Sequence, residues 1–277
     1  PSVYPCGPTP QVALHSMASV PAQGLGPPAK PEAKASRRSN QTCSRYYNQP
    51  IPGFYTSRPK LALRMIDKIS SWKYAESFAT EPAHISDARK SAEELGVESV
   101  TAATGAGLAS IAAMLSAKNI VEAGTGAGVS GLWLLSASET STLTTIDDEP
   151  EYQNRARRNF QNANIPASRA RVIAGKAAAV MANMTEAAYD MVFLDVDPLS
   201  LEGLLPHAAS LVKPSGAIVI AHALWRDRAP NPALRDEDTS AMRDAVGQFE
   251  DSKEFISSIS MLGDGLLIAV RRPEAIS

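Results

Sequence analysis

The chain has 277 residues, of which 44% are apolar, enough to bury one large core or two small ones. Its net charge of −2 hides a split. Residues 1–64 carry eight Lys/Arg against the single acid Glu32 (+7), and residues 65–277 carry nineteen against twenty-eight (−9), which excludes a general nucleic-acid binder for the main body. The only cysteines, Cys6 and Cys43, precede residue 65, and no apolar run reaches about 18 residues. A disulfide-built body, a cysteine-ligated zinc site there and a membrane-spanning helix are thereby excluded.

Residues 1–64 hold eleven of the twenty prolines and show neither helical nor alternating periodicity. Such a segment buries too little apolar surface to offset its ordering entropy, so a disordered Pro/Ser/Arg-rich extension is expected. Its acid-poor composition loosely fits a transit peptide, but the prolines disfavour the amphipathic helix such peptides form. The folded domain is expected over residues 65–277, with Met65 as its natural beginning.

From Glu81 the pattern is regular. Helices are predicted at 86–95, stopped by Gly96, and at 104–117. Strands and helices then alternate: a strand at 119–123, a helix at 130–136, a strand at 142–146, and a helix starting at Pro150 with Tyr152, Ala156 and Phe160 on one face. Next come a strand at 171–174, a helix at 177–184, a strand at 189–194, a helix at 201–212, and a turn at Pro214, Ser215 and Gly216 before a strand at 217–221. Met242, Val246 and Phe249 mark a helix, and strands at 255–262 and 266–270 flank the turn Gly263-Asp264-Gly265. This alternation predicts an α/β fold, a doubly wound and mostly parallel sheet covered on both faces, with one antiparallel strand at an edge. Its ligand is expected at the carboxyl ends of the strands, where strand order reverses.

Those ends carry the chemistry. The first strand leads into Glu122-Ala123-Gly124-Thr125-Gly126-Ala127-Gly128-Val129-Ser130. Glycines there let the backbone approach a ligand, and the helix N-terminus behind them offers free N–H groups. A dinucleotide or S-adenosylmethionine would fit. Gly126, Gly128 and Gly131 satisfy GxGxxG, but Gly124 holds the place directly after the strand, and Glu122 would repel a pyrophosphate while suiting an ammonium. The string Thr104-Gly105-Ala106-Gly107 follows no strand and is read as coincidence. Asp147, ending the second strand, can accept both hydroxyls of a ribose, with Asp148 beside it, and backbone N–H groups at Gly175 to Ala178, including Ala177, can meet an adenine edge. Asp195 and Asp197 follow the fourth strand, and His222 the fifth; these are the candidate catalytic residues. Asp190 reads as a turn residue at the start of its strand.

The glycine-rich turn, together with Thr144-Thr145-Ile146-Asp147, Phe193-Leu194-Asp195-Val196-Asp197 and Ala221-His222-Ala223-Leu224-Trp225, resembles small bacterial O-methyltransferases similar to the catechol and caffeoyl-CoA O-methyltransferases. The resemblance runs from about Tyr74 to Arg272. It implies a seven-stranded, Rossmann-like class I methyltransferase fold using S-adenosyl-L-methionine. Glu122, Gly124, Thr125 and Ser130, with Gly126 in the same turn, would meet the methionine part, Asp147 the ribose, and Val100 would line the cofactor. Asp195 would be the first metal ligand or a substrate contact. The resemblance also implies a homodimer.

Two departures bear on the metal. Animal and plant members complete their site with an Asp-Asn pair where Ala221-His222-Ala223 stands here, and carry a lysine where Val196-Asp197-Pro198 stands. Asp195 and Asp197 are a thin oxygen supply for a divalent metal. The expected activity is therefore metal-independent or weakly metal-assisted methyl transfer to a hydroxyl of a small, phenolic molecule in the cytoplasm. Asp195 and His222 would face the acceptor, His222 or Asp197 would act as base, and Trp225 with the following loop would shape the pocket. An NAD(P)-dependent oxidoreductase and a non-catalytic S-adenosylmethionine-binding protein are the alternatives.

Overall fold

The computed structural model describes residues 58–273, with side chains from residue 68. Helix α1 spans Arg58–Phe78, so helix begins seven residues before the boundary expected at 65; the expectation of disorder for residues 1–57 lies outside the described residues. Then follow α2 (Ala83–Glu94), α3 (Ala102–Met114), β1 (Asn119–Ala123), α4 (Val129–Ser136), β2 (Thr142–Asp147), α5 (Pro150–Asn162), β3 (Ala170–Ala174), α6 (Ala177–Met181) and β4 (Tyr189–Leu194). The chain continues through α7 (Pro198–Leu211), β5 (Val212–Ile220), α8 (Glu237–Gly247), β6 (Phe255–Ser260) and β7 (Leu266–Arg271).

The seven strands form one sheet in the order β3-β2-β1-β4-β5-β7-β6. Strands β1 to β5 pair in parallel, and β7 runs antiparallel to both β5 and β6. The antiparallel strand therefore lies one place in from the edge; β6 takes the edge instead. The hairpin's second strand returns to fill the gap beside β5, whose backbone groups would otherwise be unpaired.

Alternation along the central strands feeds two cores. Ile120, Met191, Phe193 and Val219 face one side with α3 and α4, while Val121, Val192, Leu194 and Ile218 face the other with α7 and α8. Period two places Glu122 on the Ile120 side, under α4, between Thr145 and Phe193. Gly105 and the Trp133 ring meet where α3 crosses α4, which gives the glycine string in α3 a packing role.

The turn expected at Pro214–Gly216 lies inside β5. From Tyr189 to Met191 on β4, the partner strand advances from Val212 to Ala217, so the residues between bulge out, with Ser215 at φ 65°. The bulge brings Lys213 to Asp190, which is not a turn residue but a buried position within β4. Asp190 Oδ2 also accepts the N–H groups of Lys118 and Asn119, each at 2.9 Å, and so anchors the start of β1.

Candidate active site

Strand order reverses between β1 and β4, and a cleft of about 960 Å³ opens at their carboxyl ends. Its floor is the turn between β1 and α4. Gly124 has φ 93°, and a Cβ there would run into the carbonyl oxygen of Asp195. Only glycine lets this turn lie so close to the end of β4, where Asp195 N–H donates to Ala123 O at 2.9 Å.

Asp147 braces the same turn. Its Oδ2 accepts the N–H groups of Thr125 (2.9 Å) and Gly126 (3.0 Å), and its Oδ1 accepts Glu149 N–H (3.0 Å). The Thr125 hydroxyl bonds to that of Thr145 at 2.7 Å. The cleft brings together Val100, Gly124, Thr125, Gly126, Ser130, Asp147, Asp148, Ala177, Asp195, Asp197 and His222. Asp148 and Asp197 are exposed in it.

Glu122 is the exception, since it does not line the cleft. It lies one layer beneath the turn, 0% exposed, and neither carboxylate oxygen has a hydrogen-bond partner. Burial pushes its carboxyl up to about 7, moderated by the nearby hydroxyls of Ser130 and Thr145. An unpaired buried carboxylate is costly, a cost relieved either by taking up a proton or by a cation brought above it.

At the other end of the cleft, His222 follows β5 with φ 57°. Its Nε2 lies 3.4 Å from Asp195 Oδ1 and its Nδ1 lies 3.5 Å from Asp264 Oδ2. The Asp195 carboxylate, with Asp264 behind it, lifts the imidazole to about 9 despite partial burial. His222 is thus protonated at neutral pH, so the base role expected for it requires higher pH or loss of a carboxylate. The Trp225 ring meets the imidazole edge-on, centroids 6.5 Å apart, and the Arg226 guanidinium sits 5.7 Å from the Trp225 centroid.

Asp264 was missed in the sequence because Gly263-Asp264-Gly265 reads as an ordinary hairpin turn. Glu98, which pairs with Arg226 at 3.2 Å at the cleft's rim, carried no local signal either. Among the described residues no group of three His, Cys, Asp or Glu side chains is placed to hold a metal ion, and the His222 imidazole lies 3.4 Å from the Asp195 carboxylate. The donor set does not fit the divalent metal considered for Asp195.

A family model described as O-methyltransferase matches residues 76–272. The chain belongs to the O-methyltransferase family. Membership sets aside the oxidoreductase alternative. This O-methyltransferase is 40% identical over 203 residues to a Mycobacterium leprae protein named "Putative O-methyltransferase", covering 73% of this chain and 91% of that one. A crystal structure of a Corynebacterium glutamicum protein is 29% identical, with a TM-score of 0.68, covering 78% of this chain and 100% of that one. The Bacillus cereus O-methyltransferase, crystallised in complex with SAH, shares the fold at 19% identity and a TM-score of 0.66, over 74% of this O-methyltransferase and all of that chain.

Proposed function

We propose that this protein transfers a methyl group from S-adenosylmethionine to a hydroxyl of a small phenolic molecule, with residues 65–277 as the methyltransferase domain. The observation that carries the reading is the unpartnered Glu122 carboxylate beneath a glycine-rich turn at the sheet's switch point. A ligand with an ammonium and a ribose fits that donor set, and a pyrophosphate does not. The solved neighbour in complex with SAH has the same fold, which supports the reading.

Gly124, Thr125, Gly126 and Ser130 would hold the amino-acid part over Glu122. Asp147 and Asp148 would take the ribose hydroxyls, Ala177 the adenine edge, and Val100 the apolar side. When bound, the cofactor supplies an electrophilic methyl on a sulfonium. The chain's own residues then hold the acceptor oxygen in line, at a reacting distance of about 3–3.5 Å. Asp195 accepts the acceptor's hydroxyl hydrogen bond with the oxygen that His222 leaves free. As the oxygen–methyl bond forms and the methyl–sulfur bond breaks, Asp197, exposed at the mouth, takes the hydroxyl proton and gives it up to water, while the neighbouring imidazolium offsets the negative charge on the acceptor oxygen. Trp225 and Leu199 give a planar acceptor an apolar wall.

The protein acts as a homodimer in the cytoplasm. Trp72, Tyr74 and Phe78 of α1 and Ile256, Ile259 and Met261 around β6 are exposed apolar groups that a second copy would cover, and the cysteine-free body suits a reducing compartment. Incubation with methyl-labelled S-adenosylmethionine and a panel of phenols, with products read by mass spectrometry, tests the reading. Labelled methyl ethers are expected, with activity surviving chelation. Cofactor binding without any methyl ether would overturn the phenolic acceptor.

A further inference from the structure

We propose that Asp264, in the turn between β6 and β7, is a positioning residue for methyl transfer: it sets the His222 ring toward Asp195 by holding the ring and the backbone after it at once, and Glu76 of α1 fixes the turn that carries it. The catalytic consequence rests on the methyltransferase reading; the linkage between the residues does not.

The segment after β5 needs an external hold. His222, Trp225, Arg226 and Asp227 have φ of 57°, 45°, 55° and 58°, a strained region that side-chain-bearing residues rarely adopt. The tip of the β6–β7 hairpin supplies that hold through three backbone sites. Both oxygens of the Asp264 carboxylate accept Arg226 N–H at 2.7 Å, Asp264 O accepts Leu224 N–H at 3.0 Å, and Gly265 O accepts Ala223 N–H at 3.0 Å. The same carboxylate faces His222 Nδ1, so the imidazole is bracketed with Nε2 toward Asp195. Of the other charged groups on this segment, Arg226 points its guanidinium to Glu98, between α2 and α3.

The hairpin tip is in turn held from α1. Glu76 Oε1 accepts Gly263 N–H at 2.7 Å, and its Oε2 accepts the hydroxyl of Thr101, the N-cap of α3, at 3.1 Å. Trp72 Nε1 donates to Met261 O at 3.2 Å. A continuous set of polar contacts therefore runs from α1 through Glu76, Gly263 and Asp264 to His222 and Asp195. A hairpin that served only to brace the sheet would need neither a carboxylate on the imidazole nor one on the strained segment.

The test uses the full chain labelled with ¹⁵N-histidine, His222 being assigned by the loss of its signals in His222→Gln. Asp264→Asn keeps an oxygen for Arg226 N–H but removes the charge from His222. The expected result is a shift of the His222 ring nitrogens and a drop of about 10- to 100-fold in kcat on the phenol that the labelling assay identifies. The KM for S-adenosylmethionine and the affinity for S-adenosylhomocysteine should stay within about two-fold, and Asp264→Glu should restore part of both losses. Unchanged His222 nitrogens in Asp264→Asn would overturn the proposal, as would equal losses in kcat and cofactor affinity. Should Asp264→Asn not fold, Glu76→Ala is the milder variant. It should shift the same resonances by less and lower kcat by less, and no shift would again overturn the proposal. If the wild type does not bind S-adenosylhomocysteine, the methyltransferase reading fails, and the nitrogen shifts still decide the linkage.

Discussion

Gly124 and Asp195 touch through their backbones: a side chain of any size on Gly124 would occupy the space of the Asp195 carbonyl oxygen. The turn that forms one half of the cleft is thereby tied to the strand end that forms the other. Gly124→Ala adds a backbone collision to the strain of an alanine at φ 93°. A loss of at least about 1–3 kcal/mol in stability is expected, with cofactor binding abolished. Denaturant unfolding and calorimetry on the purified variant check both.

Glu122 costs stability when it is charged. Its folded value of about 7 lies above the ordinary carboxylate value of 4.5, so the folded state holds its proton more tightly and loses stability as pH rises from 4.5 through 7. Glu122→Gln should therefore stabilise the ligand-free protein by about 1–3 kcal/mol above pH 7, and little at pH 4.5. The same substitution should weaken S-adenosylmethionine binding at least about ten-fold by removing the charge beneath the ammonium. Melting curves with and without the ligand separate the two effects.

His222 has the opposite dependence to a salt-bridged carboxylate. Raised to about 9 from 6.5, it contributes stability that is fully present below pH 6.5 and is lost as pH rises through 9. The gap in unfolding midpoint between wild type and His222→Gln should be widest below pH 6.5 and close above pH 9. A gap that widened with pH would contradict the Asp195–His222–Asp264 arrangement.

Asp195→Asn should lower kcat by about 10²–10⁴-fold while leaving S-adenosylhomocysteine affinity within about two-fold, because the cofactor half of the cleft stays intact. Steady-state kinetics on a confirmed phenol and calorimetry together provide the check.

The parallel half of the sheet was legible because its strands are short runs of strand-forming residues, β1 to β4 each ending in glycine or an acid, and both signals are local. Asp147, Asp195 and His222 were legible for the same reason: in a parallel sheet all strands end on one side. The bulge in β5 was not, because Pro214-Ser215-Gly216 is turn chemistry and only pairing with β4 makes it strand. The position of β7 between β5 and β6 depends on long-range pairing that no local pattern encodes. Asp264 was hidden likewise, as its meaning lies in a contact with the end of β5. Glu122 was legible as an acid near the ligand, but its depth beneath the turn follows from α4 covering that face, which a strand pattern alone does not show.

If the cleft holds S-adenosylmethionine on the glycine-rich turn, above the buried Glu122 and beside Asp147, calorimetric titration of the purified chain with S-adenosylhomocysteine, and separately with NAD, shows it most directly. Saturable one-site binding of S-adenosylhomocysteine, absent in Gly124→Ala, with no heat from NAD, is the predicted result. No binding of S-adenosylhomocysteine at millimolar concentration, or preferential binding of NAD, would contradict it.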